Sequence, residues 1–163
     1  MSSHSRFVSQ LSEAGRIHVD AGVLALHLLG DSSYLDLTRL LFSSLRTGAC
    51  TAQTSVISIF QIGVEPYRRG EDDLALKACT YVSALPGLEI VPVSGVIATQ
   101  AAQVRAQLGG RTERAIQIAT ALVSCEYRTL ATGQSHQVQI RVHIDGVFYL
   151  KRVPSDEEII ITE

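Results

Sequence analysis

An α/β fold is predicted, with helices on both faces of a mostly parallel sheet of about five strands. Three observations predict it. From about Arg16 onward, short β-rich runs alternate with longer stretches whose apolar residues recur at helical spacing. Breakers separate the two kinds of run: Gly30, Gly48, Pro86-Gly87 and Gly109-Gly110. Strands separated by helices need parallel crossovers, which place helices on both sides of the sheet as a three-layer α/β/α sandwich.

Arg16-Ile17-His18-Val19-Asp20 is short and β-rich and runs into Ala21-Gly22, so a first, buried strand is predicted here. Val23 to Leu29 is a brief helical piece that Gly30 ends. Tyr34 to Leu45 places Tyr34, Leu37, Leu41, Phe42 and Leu45 on one helical face, and Gly48 stops it. Ala49 to Thr54 reads as a second, less apolar strand, and Ser55 has the side chain of a cap for the next helix. That helix repeats Val56, Ile59, Phe60, Gly63 and Tyr67 at helical spacing, with Pro66 expected to end or kink it. Glu71 to Leu85 opens on three acids, which favour a helix N-terminus, and Leu88 to Val93 is a third strand. Ile97, Ala101, Val104 and Leu108 mark a helix from Gly95. Ala115, Ile118, Ala119 and Leu122 mark another that Thr112 can cap. Arg128 to Thr132 is predicted as a fourth strand and Val147 to Val153 as a fifth.

With 163 residues the chain is expected to form one domain, 1–163, with a polar N-terminus over 1–15 and an acidic tail over 154–163. A composition 46% apolar and only 18% charged argues against disorder. No apolar run approaches the roughly 18 residues of a membrane span, and the longest, Val19 to Leu29, holds Asp20 and His27. No membrane association is expected. Met1 to Arg16 has no signal-peptide apolar core. Cys50, Cys79 and Cys125 are odd in number and far apart, which suggests neither a disulfide framework nor a zinc knot, and a reduced cytoplasmic setting is expected. The net charge of −2 neither demands nor forbids a nucleic-acid partner, and there is no GxGxxG, P-loop or GxSxG motif.

In open α/β sheets ligands bind beyond the carboxyl ends of the strands. Asp20 ends the first predicted strand and Thr132-Gly133-Gln134 the fourth, so these two loops are the first places to seek a site. His18 alternates onto the strand face of Asp20 and reads as packed rather than catalytic. His136 and His143 lack metal-ligand spacing.

Four segments in this order carry a resemblance. They are Ile17-His18-Val19-Asp20-Ala21-Gly22, Thr54 through Pro66, Arg114-Ala115-Ile116-Gln117-Ile118-Ala119-Thr120-Ala121-Leu122, and Leu130-Ala131-Thr132-Gly133-Gln134. Over roughly 16–134 the chain resembles a PIN domain, nearest the small bacterial toxin ribonucleases of the VapC type, which work with an antitoxin. The resemblance implies a PIN-like sandwich, a tendency to homodimerise, and RNA or an antitoxin-like protein as partner. It also implies a cluster of acids holding Mg²⁺ or Mn²⁺, because hard cations need anionic oxygen ligands and the metal activates the attacking water.

Carried over residue by residue, the first acid of the pattern falls on Asp20, the second on Gln61, the third on Arg114 and the fourth on Gln134. One acid of four survives. Gln lends a carbonyl oxygen but no charge, and Arg is a permanent cation that cannot be a ligand. Glu65, one turn beyond Gln61, and Thr132 are accessory candidates. The expectation is therefore a binding or interaction module with no cofactor and no metal-dependent nuclease activity. The alternative is an active or weak Mg- or Mn-dependent endoribonuclease, the toxin of a toxin–antitoxin system, that uses Asp20. Arg114 is expected either to close the old metal site by pairing with Asp20 or to bind a phosphate at the cleft.

Overall fold

The computed structural model describes residues 9, 11, 16–30, 34–132, 137–144 and 147–153. The elements run β1 (Arg16–Val19), α1 (Ala21–Leu29), α2 (Leu35–Arg46), β2 (Thr51–Ser55), α3 (Ile57–Arg68), α4 (Asp72–Ser83), β3 (Leu88–Val91), α5 (Gly95–Leu108), α6 (Thr112–Thr132), β4 (Gln137–Ile144) and β5 (Val147–Val153). The strand order is β3-β2-β1-β5-β4. β1, β2 and β3 pair in parallel, whereas β5 pairs antiparallel with both β1 and β4.

Two expectations need correction. The parallel part of the sheet has three strands, and the strands beyond β1 form an antiparallel hairpin, so the sheet is not parallel over about five strands. Arg128 to Thr132 is not a strand: α6 continues through it to Thr132. Adding a residue to an existing helix gains a hydrogen bond without a new nucleus, and Arg, Leu and Ala are good helix formers. The two Thr residues in this stretch do not outweigh that. Pro66 lies in the last turn of α3, which runs two residues past it and ends at Arg68. Gly70 then takes the left-handed conformation at φ 71°.

β1, β2 and β3 follow one another in a single direction across the sheet. Right-handed crossovers therefore put α1–α4 on one face. On that face Ile17, Val19, Ala52 and Leu88 pack with Val23, Leu24, Leu41, Leu45, Ile62 and Val82 in one buried cluster. α5 and α6 form a second cluster from Ile97, Ala101, Val104, Ala115, Ile118, Ala119 and Ala121, against which Val91 of β3 packs. The result is an α/β fold with helices in two layers about the sheet. Among the described residues no helix is long and apolar enough to cross a membrane.

The turn into β3 depends on one glycine. Gly87 has φ 74°, and a Cβ there would lie 2.8 Å from the Leu45 carbonyl oxygen. Its own carbonyl accepts from the Ala52 N–H at 2.9 Å, which aligns β3 with β2. Gly87→Ala combines a left-handed residue with a backbone clash, and a loss of about 2 kcal/mol or more is expected. The shift of the urea midpoint at unchanged m-value measures it.

Candidate functional site at the carboxyl edge of the parallel strands

Asp20 follows β1 and caps α1. Its Oδ1 accepts from the N–H of Gly22 at 2.8 Å and of Val23 at 3.3 Å. The Asp-Ala-Gly order serves this cap, because a Cβ at position 22 would sit 3.1 Å from that oxygen. The half-buried carboxylate thus sits at the carboxyl end of β1.

Gln61 lies on α3, and its Oε1 accepts from Gln117 Nε2 at 3.4 Å. Gln117, on α6, is the centre of the site. Its amide nitrogen also donates to Ser58 Oγ at 2.7 Å, and its Oε1 lies 2.8 Å from His18 Nε2. Because the amide nitrogen donates twice, the oxygen is the acceptor, and His18 donates from Nε2–H. Ser58 Oγ is also 2.7 Å from Thr54 Oγ1, so a buried polar chain runs from β1 through α6 to α3 and the end of β2. His18, Thr54 and Ser58 have no exposed surface and Gln117 is 3% exposed.

The same sheet face continues this polar layer toward the amino ends of the strands. Gln53 stands opposite His18 on β1 and Glu89 on β3. Arg16 donates to Gln53 Oε1 from Nε at 2.9 Å and Nη2 at 2.6 Å, and to Glu89 Oε2 at 2.7 Å. Gln53 Nε2 in turn reaches the Thr120 carbonyl at 3.5 Å. His18 is packed, as expected. Burial pushes its pKa down to about 4, the Arg16 charge pushes the same way, and the Gln117 bond opposes them only in part. The imidazole is neutral at pH 7.

Arg114 lies one turn before Gln117 on α6 and is exposed. Among the described residues it forms no ion pair. The pairs are Arg16–Glu89, Arg68–Glu65, Arg69–Glu65 and Arg111–Glu113, so Arg114 does not close the site onto Asp20. Glu65, an accessory candidate, turns to Arg68 at 3.1 Å and Arg69 at 3.0 Å on the exposed side of α3. Thr132, the other accessory candidate, ends α6 rather than a strand. Gln134 lies outside the described residues.

These donors do not fit a resident Mg²⁺ or Mn²⁺. Such an ion takes oxygen ligands, usually with one or more carboxylates. Here one carboxylate is engaged with two N–H groups, one amide oxygen already accepts from Gln117, and the third position is a cation. Among the described residues no group of three His, Cys, Asp or Glu side chains converges to hold a metal.

The sequence reading missed Gln117, Ser58 and Gln53. A signal for them existed. Strands of a parallel sheet are buried on both faces and normally read as apolar runs, yet His18 and Gln53 interrupt theirs. Buried polar side chains need partners, and Gln117 and Thr120 supply a polar line on α6 at a spacing of three. The chain matches no protein-family model and no curated protein.

Proposed function

We propose that this chain is a PIN-like domain, related to the VapC-type toxin ribonucleases, that binds RNA without cleaving it. The observation that carries the reading is the Gln117 amide, which ties His18, Ser58 and Gln61 into a neutral network beside Asp20. Neutral side chains already hydrogen-bonded to one another offer a divalent cation no anionic ligand, which supports a reading without metal-dependent cleavage. Arg114, exposed one turn away and without an ion-pair partner among the described residues, supports phosphate binding at the mouth of the same edge. A cytoplasmic setting, homodimerisation and an antitoxin-like protein as a further partner belong to the same reading.

The test pairs a cleavage assay in Mn²⁺ with equilibrium binding of single-stranded RNA. No cleavage is expected, together with RNA binding that Arg114→Ala weakens by about tenfold, the value of one charge-assisted contact. Cleavage abolished by Asp20→Ala would establish the endoribonuclease alternative instead. RNA binding indifferent to Arg114→Ala would remove the phosphate role of that residue. The triple variant Gln61→Glu, Arg114→Asp, Gln134→Asp checks the residue assignment separately: its Mn²⁺ affinity, followed by calorimetry, should exceed that of the parent.

A further inference from the structure

A second concave surface lies on the far side of the sheet from Gln117. It is an open groove of about 880 Å³ between α2 and the C-terminal ends of α1 and α4. Its size is within the roughly 300–1,000 Å³ of small-molecule sites. Its chemistry falls into three parts.

The first part is an aromatic wall. His27 lies against Phe42 with ring centroids 4.3 Å apart, and Tyr81 lies beside His27 at 6.4 Å with planes 26° from parallel. Hydrogen bonds hold the wall in place. Thr38 donates its hydroxyl to the Leu35 carbonyl at 3.1 Å, so its oxygen accepts from His27 Nδ1–H at 3.2 Å. That leaves His27 Nε2 as the acceptor facing the Tyr81 hydroxyl at 3.4 Å. Burial and the nearby Arg39 charge both lower the His27 pKa, in keeping with a neutral ring.

The second part is cationic. Arg39 and Arg46 both line the groove, and among the described residues neither has an ion-pair partner. Seven residues apart on α2, they lie on one helix face, two turns or about 10 Å from one another along the axis. The third part is Asp36, one turn before Arg39 on that face, an acceptor for hydroxyl or amino donors.

We propose that this groove is a binding site for a nucleoside monophosphate. The ring system packs on Tyr81 and His27, the phosphate dianion meets Arg39 and Arg46, and Asp36 accepts from sugar hydroxyls or an exocyclic amine. A bare anion would leave the aromatic wall unused, and an aromatic acid without donors would meet Asp36 as a like charge. A ligand with a flat ring, a dianion and hydrogen-bond donors engages all three parts. The site is independent of the network at Gln117 and of the reading built on it.

The full chain is titrated with AMP, UMP, adenosine and inorganic phosphate, following tyrosine fluorescence and heat. AMP or UMP is expected to bind at roughly millimolar affinity or tighter. Arg39→Gln with Arg46→Gln should weaken binding by about tenfold or more, and Tyr81→Leu by about tenfold. Arg69→Gln, a surface change just beyond the end of α3 and outside the groove, should leave it unchanged. These substitutions are at exposed positions, and circular dichroism confirms that each variant folds. A short RNA that binds more tightly than AMP, with the same variants sensitive, identifies a nucleotide within RNA as the source. Equal affinities identify the free nucleotide. Phosphate or adenosine binding as tightly as AMP overturns the proposal, as does nucleotide binding that ignores Arg39, Arg46 and Tyr81, or no nucleotide binding at all.

Discussion

Gln117→Leu is expected to destabilise the fold by about 2–4 kcal/mol while changing side-chain volume little. The substitution strips three partners at once. His18 Nε2–H loses its acceptor, and Ser58 Oγ and Gln61 Oε1 lose a donor. Ser58 keeps Thr54 and Gln61 is only half-buried, so the main penalty falls on the imidazole N–H, which has no exposed surface. An unsatisfied buried donor costs about 1–3 kcal/mol, and the lost contacts at Ser58 and Gln61 add to it. A double-mutant cycle with His18→Leu isolates the pair. Each single variant leaves a buried polar atom behind, whereas the double variant removes both, so the two losses should be less than additive by about 1–2 kcal/mol. Strict additivity in urea unfolding would show that the two side chains do not sense one another.

The second large effect is acid destabilisation through His18. Its pKa is about 4 in the folded chain against 6.5 for an unperturbed histidine. Between these values the unfolded chain takes up a proton that the folded chain refuses. Stability is therefore fully present above pH 6.5 and is lost as the pH falls toward 4. Integrated over that window, the loss is about 3 kcal/mol. His27, whose pKa is also lowered, adds a contribution of the same sign. Urea unfolding at pH 7, 6 and 5 should show a falling midpoint for the parent. His18→Leu should be less stable at pH 7 yet markedly flatter between pH 7 and 5. A parent midpoint constant from pH 7 to 5 would mean that the folded chain accommodates the imidazolium.

The sequence and the structure agree where short-range physics decides. The β-rich run at Arg16–Val19, the left-handed Gly30 that ends α1 and the Pro86-Gly87 turn before β3 each rest on local patterning or a special backbone angle. Asp20 was legible as the residue at the end of the first strand, but its capping of α1 emerged only from the structure. The extent of α6 was not legible in the same way, since Arg128 to Thr132 suits strand or helix and the preceding turns of helix decide. Gln117 was obscured differently. Next to the apolar positions of α6 it resembles a solvent-facing residue, and its burial becomes evident only when the polar line it forms with Thr120 is matched to the polar residues of β1 and β2. Gln61 and Arg114 were placed by resemblance. The structure puts them on helices that meet near Asp20's end of the sheet, one inside the hydrogen-bonded network and the other outside it.

The two faces of the parallel strands differ in kind, with Ile17, Val19 and Ala52 on one and His18 and Gln53 on the other. Sliding β1 by a single residue would exchange these sets, driving an imidazole into hydrocarbon and leaving Gln117 opposite an isoleucine. An all-apolar strand could slip with little penalty, because either set of side chains would suit either face. Here each misaligned pairing strands polar groups on both sides at once. The His18 and Gln53 positions thus penalise misaligned strand pairing, and the layer expected to weaken the protein in acid is also one that favours a single alignment of the sheet.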